Sequence, residues 1–204
     1  MMINLPTSLT WLRILMIPLL IGIFYVPDAW MGWPARNIAA TALFTAAALT
    51  DWLDGWLARR LNQTSAFGAF LDPVADKLMV AAALIVLVQL GRTGGWVATI
   101  IIGREIAISA LREWMAQLGA AKSVAVNMLG KVKTACQMAA IPLLLLWDSV
   151  DGLPVRAAGS VLIYVAAVLT LASMFYYLKL ALPGLRAAEK ASAKRPASAP
   201  ADWP

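Results

Sequence analysis

Long apolar stretches alternate with short polar connections along this chain, and the alternation predicts six membrane-crossing helices. Each stretch is close to the roughly 20 residues that a helix needs to span the hydrocarbon layer of a bilayer. The predicted spans are residues 9–26, 38–61, 73–90, 96–118, 131–147 and 155–182. The pattern therefore predicts an all-α polytopic membrane protein with one transmembrane domain, residues 1–182. The Ala-, Ser-, Pro- and Lys-rich residues 183–204 are expected to form a disordered cytoplasmic tail.

Positive charges are distributed unevenly between the predicted connections, and this asymmetry orients the spans. If the N-terminus is cytoplasmic, the outside connections hold only Arg36, Arg92 and Arg156 of the 17 Lys and Arg residues. Cytoplasmic loops are the ones enriched in Lys and Arg, so both termini are expected to be cytoplasmic. The net charge of +6 suits anionic lipid headgroups better than nucleic acid, and we expect no nucleic-acid partner.

Composition narrows the possible chemistry. The chain is 61% hydrophobic and has no histidine, which is the commonest general base and transition-metal ligand. Acid–base chemistry must therefore use a carboxylate, a lysine or a bound water. The single cysteine, Cys136, excludes an intrachain disulfide.

Four aspartates lie in one short window at the predicted cytoplasmic ends of the second and third spans: Asp51, Asp54, Asp72 and Asp76. On helices, the first two share a face, and so do the last two. With few neighbouring cations, four carboxylates would repel one another strongly in a low-dielectric place. A hard divalent ion, Mg²⁺ or Mn²⁺, resolves this repulsion and is commonly shared with substrate phosphates.

Small residues and an arginine accompany the first two aspartates. Gly55 and Ala58 leave the helix face bare, so a bulky ligand can approach the backbone closely. Arg59 can then bind a phosphate with its planar fork. The window therefore predicts a site for metal and diphosphate.

Simpler interpretations remain open at this stage. Asp72 before Pro73 also fits a helix N-cap followed by proline at the first helical position. Arg59 also fits an ordinary charge at a membrane boundary, and Arg13 in the first span fits a side chain that snorkels to the interface.

A second set of charges lies on the fourth and fifth spans. Buried cations there need an anionic partner, which is either an internal acid, Glu105 or Glu113, or a phosphate of a second substrate. The basic residues are Arg104, Arg112, Lys131 and Lys133.

The aspartate window resembles the signature of the CDP-alcohol phosphotransferase family at every fixed position, Asp-x2-Asp-Gly-x2-Ala-Arg-x8-Gly-x3-Asp-x3-Asp. Residues 4–13, 103–114 and 124–134 are similar to the bacterial branch of that family that makes phosphatidylglycerol phosphate. The resemblance covers roughly residues 3–147.

This resemblance implies transfer of the phosphatidyl group from CDP-diacylglycerol to sn-glycerol 3-phosphate, with release of CMP. It also implies two divalent ions, Mg²⁺ or Mn²⁺, and a homodimer in the bacterial inner membrane with its active site facing the cytoplasm. Inositol phosphate, serine or a second phosphatidylglycerol are alternative acceptors. A divalent-cation transporter is the alternative from a different class, because membrane aspartates can mark ion paths.

The resemblance also implies roles for individual residues. Asp51, Asp54 and Asp72 would hold one ion, and Asp51, Asp72 and Asp76 the second, with Asp76 also acting as general base. The expected CDP-binding residues are Thr7, Thr10, Gly55, Ala58, Arg59, Ser65 and Gly68. Thr7 stands where many relatives have Asn, although threonine can still donate and accept a hydrogen bond. We infer that the acceptor phosphate is bound by Arg104, Arg112, Lys131 and Lys133.

Overall fold

A computed structural model describes residues 5–61, 66–117, 128–147 and 154–193. Within these ranges the chain forms six α-helices and no strand, so the all-helical prediction is confirmed. The helices are α1 (Leu5–Ile23), α2 (Trp33–Leu61), α3 (Ala66–Gln89), α4 (Gly95–Gln117), α5 (Met128–Leu146) and α6 (Val155–Ala193).

The predicted boundaries differ most from the structure at the start of α3 and the end of α6, with smaller shifts at both ends of α1 and at the start of α2. Helix α3 begins at Ala66, about two turns before Pro73, because the apolar residues ahead of the proline extend the helix instead of forming the connection. Helix α6 continues to Ala193 and overlaps the first part of the predicted disordered tail, since the added segment is rich in helix-favouring Ala, Leu and Lys. Residues 194–204 lie outside the described part of the chain, so disorder there stays a prediction.

All six helices contribute to one apolar core. Its members are buried aliphatic and aromatic side chains that pack at the centre of the bundle. The largest fully buried members are Leu20, Phe44, Leu84, Leu87, Ile101, Ile141, Leu144, Leu145 and Ile163. Helix α1 packs closely against both α2 and α3, and α6 packs against α4 and α5. The position of α1 therefore brings its polar residues next to both helices that carry the aspartates.

At one end of the bundle, Arg92 holds the carboxyl end of α5. Its Nη1 donates to the carbonyl oxygens of Leu144 at 3.1 Å and Leu145 at 2.7 Å, and its Nη2 donates to Asn37 Oδ1 at 2.6 Å. The guanidinium also lies 5.2 Å from the ring centroid of Trp147. The last carbonyls of a helix have no partner within it, so Arg92 supplies donors that the end of α5 requires.

The outer surface carries many large apolar side chains. Leu15, Leu19, Ile85, Val168 and Phe175 are all more than half exposed. Among the described helices, one stretch, Val155–Lys179 in α6, is able to cross a membrane by length and composition. A shorter apolar stretch, Ser8–Ile23, lies in α1.

Candidate active site

Two aspartates from different helices converge on one buried arginine. Arg13 Nη1 lies 3.1 Å from Asp51 Oδ1 of α2 and donates to Asp76 Oδ1 of α3 at 2.5 Å. The arginine side chain is 1% exposed, whereas each aspartate side chain is 41% exposed. Each of the two carboxylates therefore contacts a buried cation and remains partly exposed to solvent.

The third described aspartate is held by a hydroxyl one turn before the arginine. Thr10 Oγ1 donates to Asp72 Oδ1, and Thr10 is fully buried. Residues i and i+3 lie on the same side of a helix, so Thr10 and Arg13 face the aspartates together. Helix α1 thus presents one polar face to both α2 and α3.

These contacts correct three sequence-based interpretations. Arg13 does not snorkel to an interface, because its side chain is buried between the aspartates. The same contacts give Asp51 and Asp76 a close cation neighbour, whereas the sequence led us to expect few cations near the aspartates. Asp72 is not an N-cap, because α3 begins at Ala66 and Pro73 lies inside the helix.

Several predicted site residues fall outside the described side chains. Asp54, Gly55, Ala58 and Arg59 lie on α2, and Thr7 lies on α1, but the structure describes only the backbone there. Ser65 lies outside the described residues altogether. Gly68 is buried in the first turn of α3. Their predicted roles in binding metal or nucleotide stay predictions.

The chemistry of the described donors fits a divalent ion. Two carboxylate oxygens already share one positively charged nitrogen, which shows that the backbone brings Asp51 and Asp76 within reach of a common cation. Among the described side chains, no three acids or thiols form a group that could hold a metal ion. Asp72 is among these described side chains and does not complete such a group, so a full ligand set needs Asp54, oxygen atoms from the substrate, or a movement of Asp72 toward this pair.

One cavity joins the aspartate pair to the second charged cluster. Its volume is about 180 Å³, and Arg13, Asp51 and Asp76 line one part of it. Glu105 of α4 and Gln137 of α5 line another part. A molecule in this cavity would therefore contact the aspartates and Glu105, whereas the basic residues bonded to Glu105 lie behind it and do not line the cavity.

The basic cluster is organised by Glu105. Its Oε1 accepts hydrogen bonds from Lys133 Nζ and, at 3.1 Å, from Arg104 Nη1. Arg104 Nη2 donates to Ser173 Oγ at 3.2 Å, whereas Arg104 Nε is buried and has no hydrogen-bond partner within the described residues. The internal-acid interpretation is therefore correct for Lys133 and for part of Arg104.

A buried tyrosine from α6 completes this cluster. Tyr177 is fully buried, and the guanidinium carbons of Arg104 and Arg112 lie 5.5 Å and 5.4 Å from its ring centroid. Arg112 Nη2 also lies 3.4 Å from Tyr177 Oη, to which it donates. Lys131 is exposed, and its two-residue spacing from Lys133 places it on the other side of α5.

Sequence reasoning missed three residues of the site. Arg13 had a signal, because a charged residue within an apolar span is costly and usually functional. Ser173 and Tyr177 had a weaker one, since their spacing places both on one face of α6. Neither shares a motif with the aspartates, so only the packing of α6 against α4 reveals their contact with the arginines.

Comparison with known proteins decides the family. A family model described as CDP-alcohol phosphatidyltransferase matches residues 3–172, most of the chain. The chain belongs to the CDP-alcohol phosphatidyltransferase family. The family predicted from the aspartate window is thus confirmed, and the match extends through α5 and into α6.

Relatives within the CDP-alcohol phosphatidyltransferase family are closely similar to this chain. A Salmonella choleraesuis protein named CDP-diacylglycerol–glycerol-3-phosphate 3-phosphatidyltransferase is 52% identical over 184 residues, which cover 89% of this chain and 96% of the relative. Proteins of the same name from Escherichia coli and Shigella sonnei show the same identity and coverage.

Proposed function

We propose that this protein transfers the phosphatidyl group of CDP-diacylglycerol to sn-glycerol 3-phosphate, producing phosphatidylglycerol phosphate and CMP. The observation that carries the proposal is the single cavity that joins the carboxylates of Asp51 and Asp76 to Glu105, the centre of the basic cluster. It is supported by 52% identity over nearly the full length of relatives named for this reaction.

We further propose that the protein functions within a membrane. Supporting it, the bundle buries Arg13, Arg104 and Lys133 while large apolar side chains cover its outside. This distribution is the reverse of that in a water-soluble protein, and it suits hydrocarbon as the surrounding solvent. We propose six spans with cytoplasmic termini in the bacterial inner membrane, with the aspartates at the cytoplasmic end of α2 and in α3, and a homodimer as the assembly.

The aspartates are proposed to hold two divalent ions, Mg²⁺ or Mn²⁺. Asp51, Asp54, Asp72 and Asp76 supply the oxygen ligands, and their chemistry matches that of hard cations. When bound, the ions neutralise the diphosphate and stabilise negative charge on the departing CMP. The cytidine diphosphate lies along the predicted nucleotide-binding residues, which are Thr7, Thr10, Gly55, Ala58, Arg59, Ser65 and Gly68.

The acceptor is proposed to enter between the aspartates and the basic cluster. Arg104 has a buried Nε with no hydrogen-bond partner in the described structure, so it retains a donor for the acceptor phosphate. Arg112 and Lys133 are the further candidates for this phosphate, whereas the predicted Lys131 lies on the other side of α5 from Lys133. The free primary hydroxyl of glycerol 3-phosphate then faces the aspartates across the cavity.

In the reaction, Asp76 takes the proton from that hydroxyl. The hydroxyl oxygen forms a bond to the phosphorus that carries the lipid, and the bond from this phosphorus to the oxygen of CMP breaks. Holding both substrates in one cavity supplies the orientation that this attack requires. The negative charge lost from Asp76 on protonation is balanced by the charge that CMP carries away.

The basic cluster favours a phosphorylated acceptor over serine. Serine brings no phosphate to occupy Arg104, whereas glycerol 3-phosphate and inositol phosphate both do. The transporter alternative is disfavoured because Asp51 and Asp76 meet at one buried arginine instead of marking a path across the bundle.

The test is CMP release by the full chain purified in detergent, with CDP-diacylglycerol and Mg²⁺ or Mn²⁺. Glycerol 3-phosphate, inositol phosphate and serine are offered separately, and chelation with EDTA is the control. The proposal expects release with glycerol 3-phosphate alone and none in EDTA. Release only with another acceptor would overturn the substrate. Flux of Mn²⁺ into lipid vesicles that contain the protein, without CMP release, would favour a transporter.

A further inference from the structure

We propose that Arg13 is a resident counter-cation of the aspartate site, which holds Asp51 and Asp76 together without metal and weakens their affinity for metal. The inference rests on the proposed function, because it takes these aspartates as metal ligands. It assigns Arg13 a positioning role, since the arginine acts through the two carboxylates and not on the substrate.

The geometry places the arginine charge where a shared cation would lie. One atom, Arg13 Nη1, is within 3.1 Å of an oxygen of Asp51 and 2.5 Å of an oxygen of Asp76. The two acids come from different helices, and the arginine comes from a third. A metal ion held by the same two carboxylates would compete with this nitrogen for their oxygens.

The charge of Arg13 persists when metal arrives. Guanidinium does not lose its proton in proteins, so the site cannot relieve the repulsion by deprotonation. The side chain is also 1% exposed, which leaves little water to screen it. Two neighbouring cations then compete for the same carboxylates, and the affinity of the site for metal falls.

The same contact stabilises the protein when metal is absent. Two carboxylates near each other in a site of low dielectric constant repel, and a guanidinium between them reverses the sign of the interaction. Removing Arg13 therefore has opposite effects on two measurable quantities. Stability without metal falls, while affinity for metal rises, a combination that a purely structural arginine would not produce.

The experiment compares wild-type protein with Arg13→Gln, using the full chain in detergent without nucleotide. Thermal unfolding in EDTA measures stability without metal, and calorimetric titration with Mn²⁺ measures affinity. We expect a lower melting temperature in EDTA and Mn²⁺ binding at least about tenfold tighter in Arg13→Gln. Arg13→Lys keeps the charge but loses the fork, so both changes should be smaller and of the same sign.

The matched control is Arg36→Gln. Arg36 is also buried and paired with an aspartate, Asp28 at 2.5 Å, but neither residue lines the cavity. Its loss should lower the melting temperature without changing Mn²⁺ affinity. If Arg13→Gln does not fold, Arg13→Lys carries the comparison alone.

The outcomes separate this inference from the proposed function. Mn²⁺ affinity that is unchanged or weaker in the folded Arg13 variants would overturn the inference while leaving the metal site intact. Wild-type protein that shows no saturable Mn²⁺ binding, either without nucleotide or after addition of CMP, would overturn the metal site itself. Tighter binding in Arg13→Gln but not in Arg36→Gln is the result that supports the role of Arg13.

Discussion

Two buried arginines, Arg13 and Arg92, are anchored in different ways. Arg92 donates to two backbone carbonyls and to the amide oxygen of Asn37, all of which are neutral. Arg13 instead contacts the carboxylates of Asp51 and Asp76. Neutral acceptors at a helix end need an arginine to complete the fold, whereas paired acids can exchange it for another cation.

The surroundings of Arg92 and Arg13 also differ, because Arg92 is enclosed by side chains and Arg13 lies beside a cavity. Arg92 lies among aromatic rings, 5.2 Å from the centroid of Trp147 and 6.0 Å from that of Phe24. Arg13 lines a cavity of about 180 Å³. The comparison teaches that burial alone does not identify a functional arginine. The charge of its partners, and the space beside them, separate the two cases.

The largest expected effect is that of Asp76→Asn. Loss of the general base should lower the rate of CMP release at least about a hundredfold, because a positioned base contributes on that scale. Asp28→Asn, at an exposed aspartate paired with Arg36, is the control and should retain nearly full activity. Substantial turnover by Asp76→Asn would remove this residue from the base role.

The next largest effect is the loss of folding stability that we expect when Arg92 is replaced. Arg92→Met leaves the end of α5 without its donors and should cost about 2–4 kcal/mol. This is less than three independent hydrogen bonds to a charged group would give at about 1.5–3 kcal/mol each, because bonds made by one guanidinium are not additive. Thermal unfolding in detergent measures this loss. Arg156→Met is the control, because Arg156 is exposed and its contact within the described residues is with the ring of Trp147, at 4.4 Å from the centroid. A changed Mn²⁺ affinity in Arg92→Met would contradict the claim that Arg13, and not Arg92, influences metal binding.

A third arginine, Arg104, combines features of both. It has a charged partner in Glu105 and a neutral one in Ser173. Arg104→Gln should raise the KM for glycerol 3-phosphate about tenfold, the equivalent of one charged hydrogen bond of about 1.4 kcal/mol. Mn²⁺ affinity should stay unchanged. Ser109→Ala, which removes only a local bond to the Glu105 carbonyl, is the control, and equal KM values in both variants would contradict the assignment.

The smallest effect is expected at Thr10. Thr10→Val preserves shape but removes the hydrogen bond to Asp72, which should lower kcat/KM about fivefold for a loss of about 1 kcal/mol. Thr99→Val, at an exposed threonine bonded to the Gly95 carbonyl, serves as the control. Identical kinetics in the two variants would show that Thr10 does not position Asp72.

The sequence predicted much of this arrangement because the relevant information is local. Apolar segments specified six helices, and the spacing of Asp72 and Asp76 placed both on one face of α3. The start of α3 was misjudged because a proline was interpreted as the first helical residue, although it lies inside the helix.

What sequence reasoning could not reach depends on contacts between distant segments. Arg13 and Asp76 are 63 positions apart, and Arg104 and Ser173 are 69 positions apart. The pattern of apolar residues within α1 or α6 does not indicate which other helix packs against that helix. The packing of α1 between α2 and α3 determines that the arginine meets acids, and that packing emerges only in the folded chain.

The most direct test of the central claim is a count of bound Mn²⁺ by electron paramagnetic resonance. Wild-type protein and the double variant Asp51→Asn/Asp76→Asn would be titrated in detergent, and the free-ion signal would be followed. The account predicts saturable binding by the wild type and its loss in the folded double variant, because both ligands of the shared cation have become neutral. Equal binding by the two proteins would contradict the assignment of Asp51 and Asp76 as the metal site.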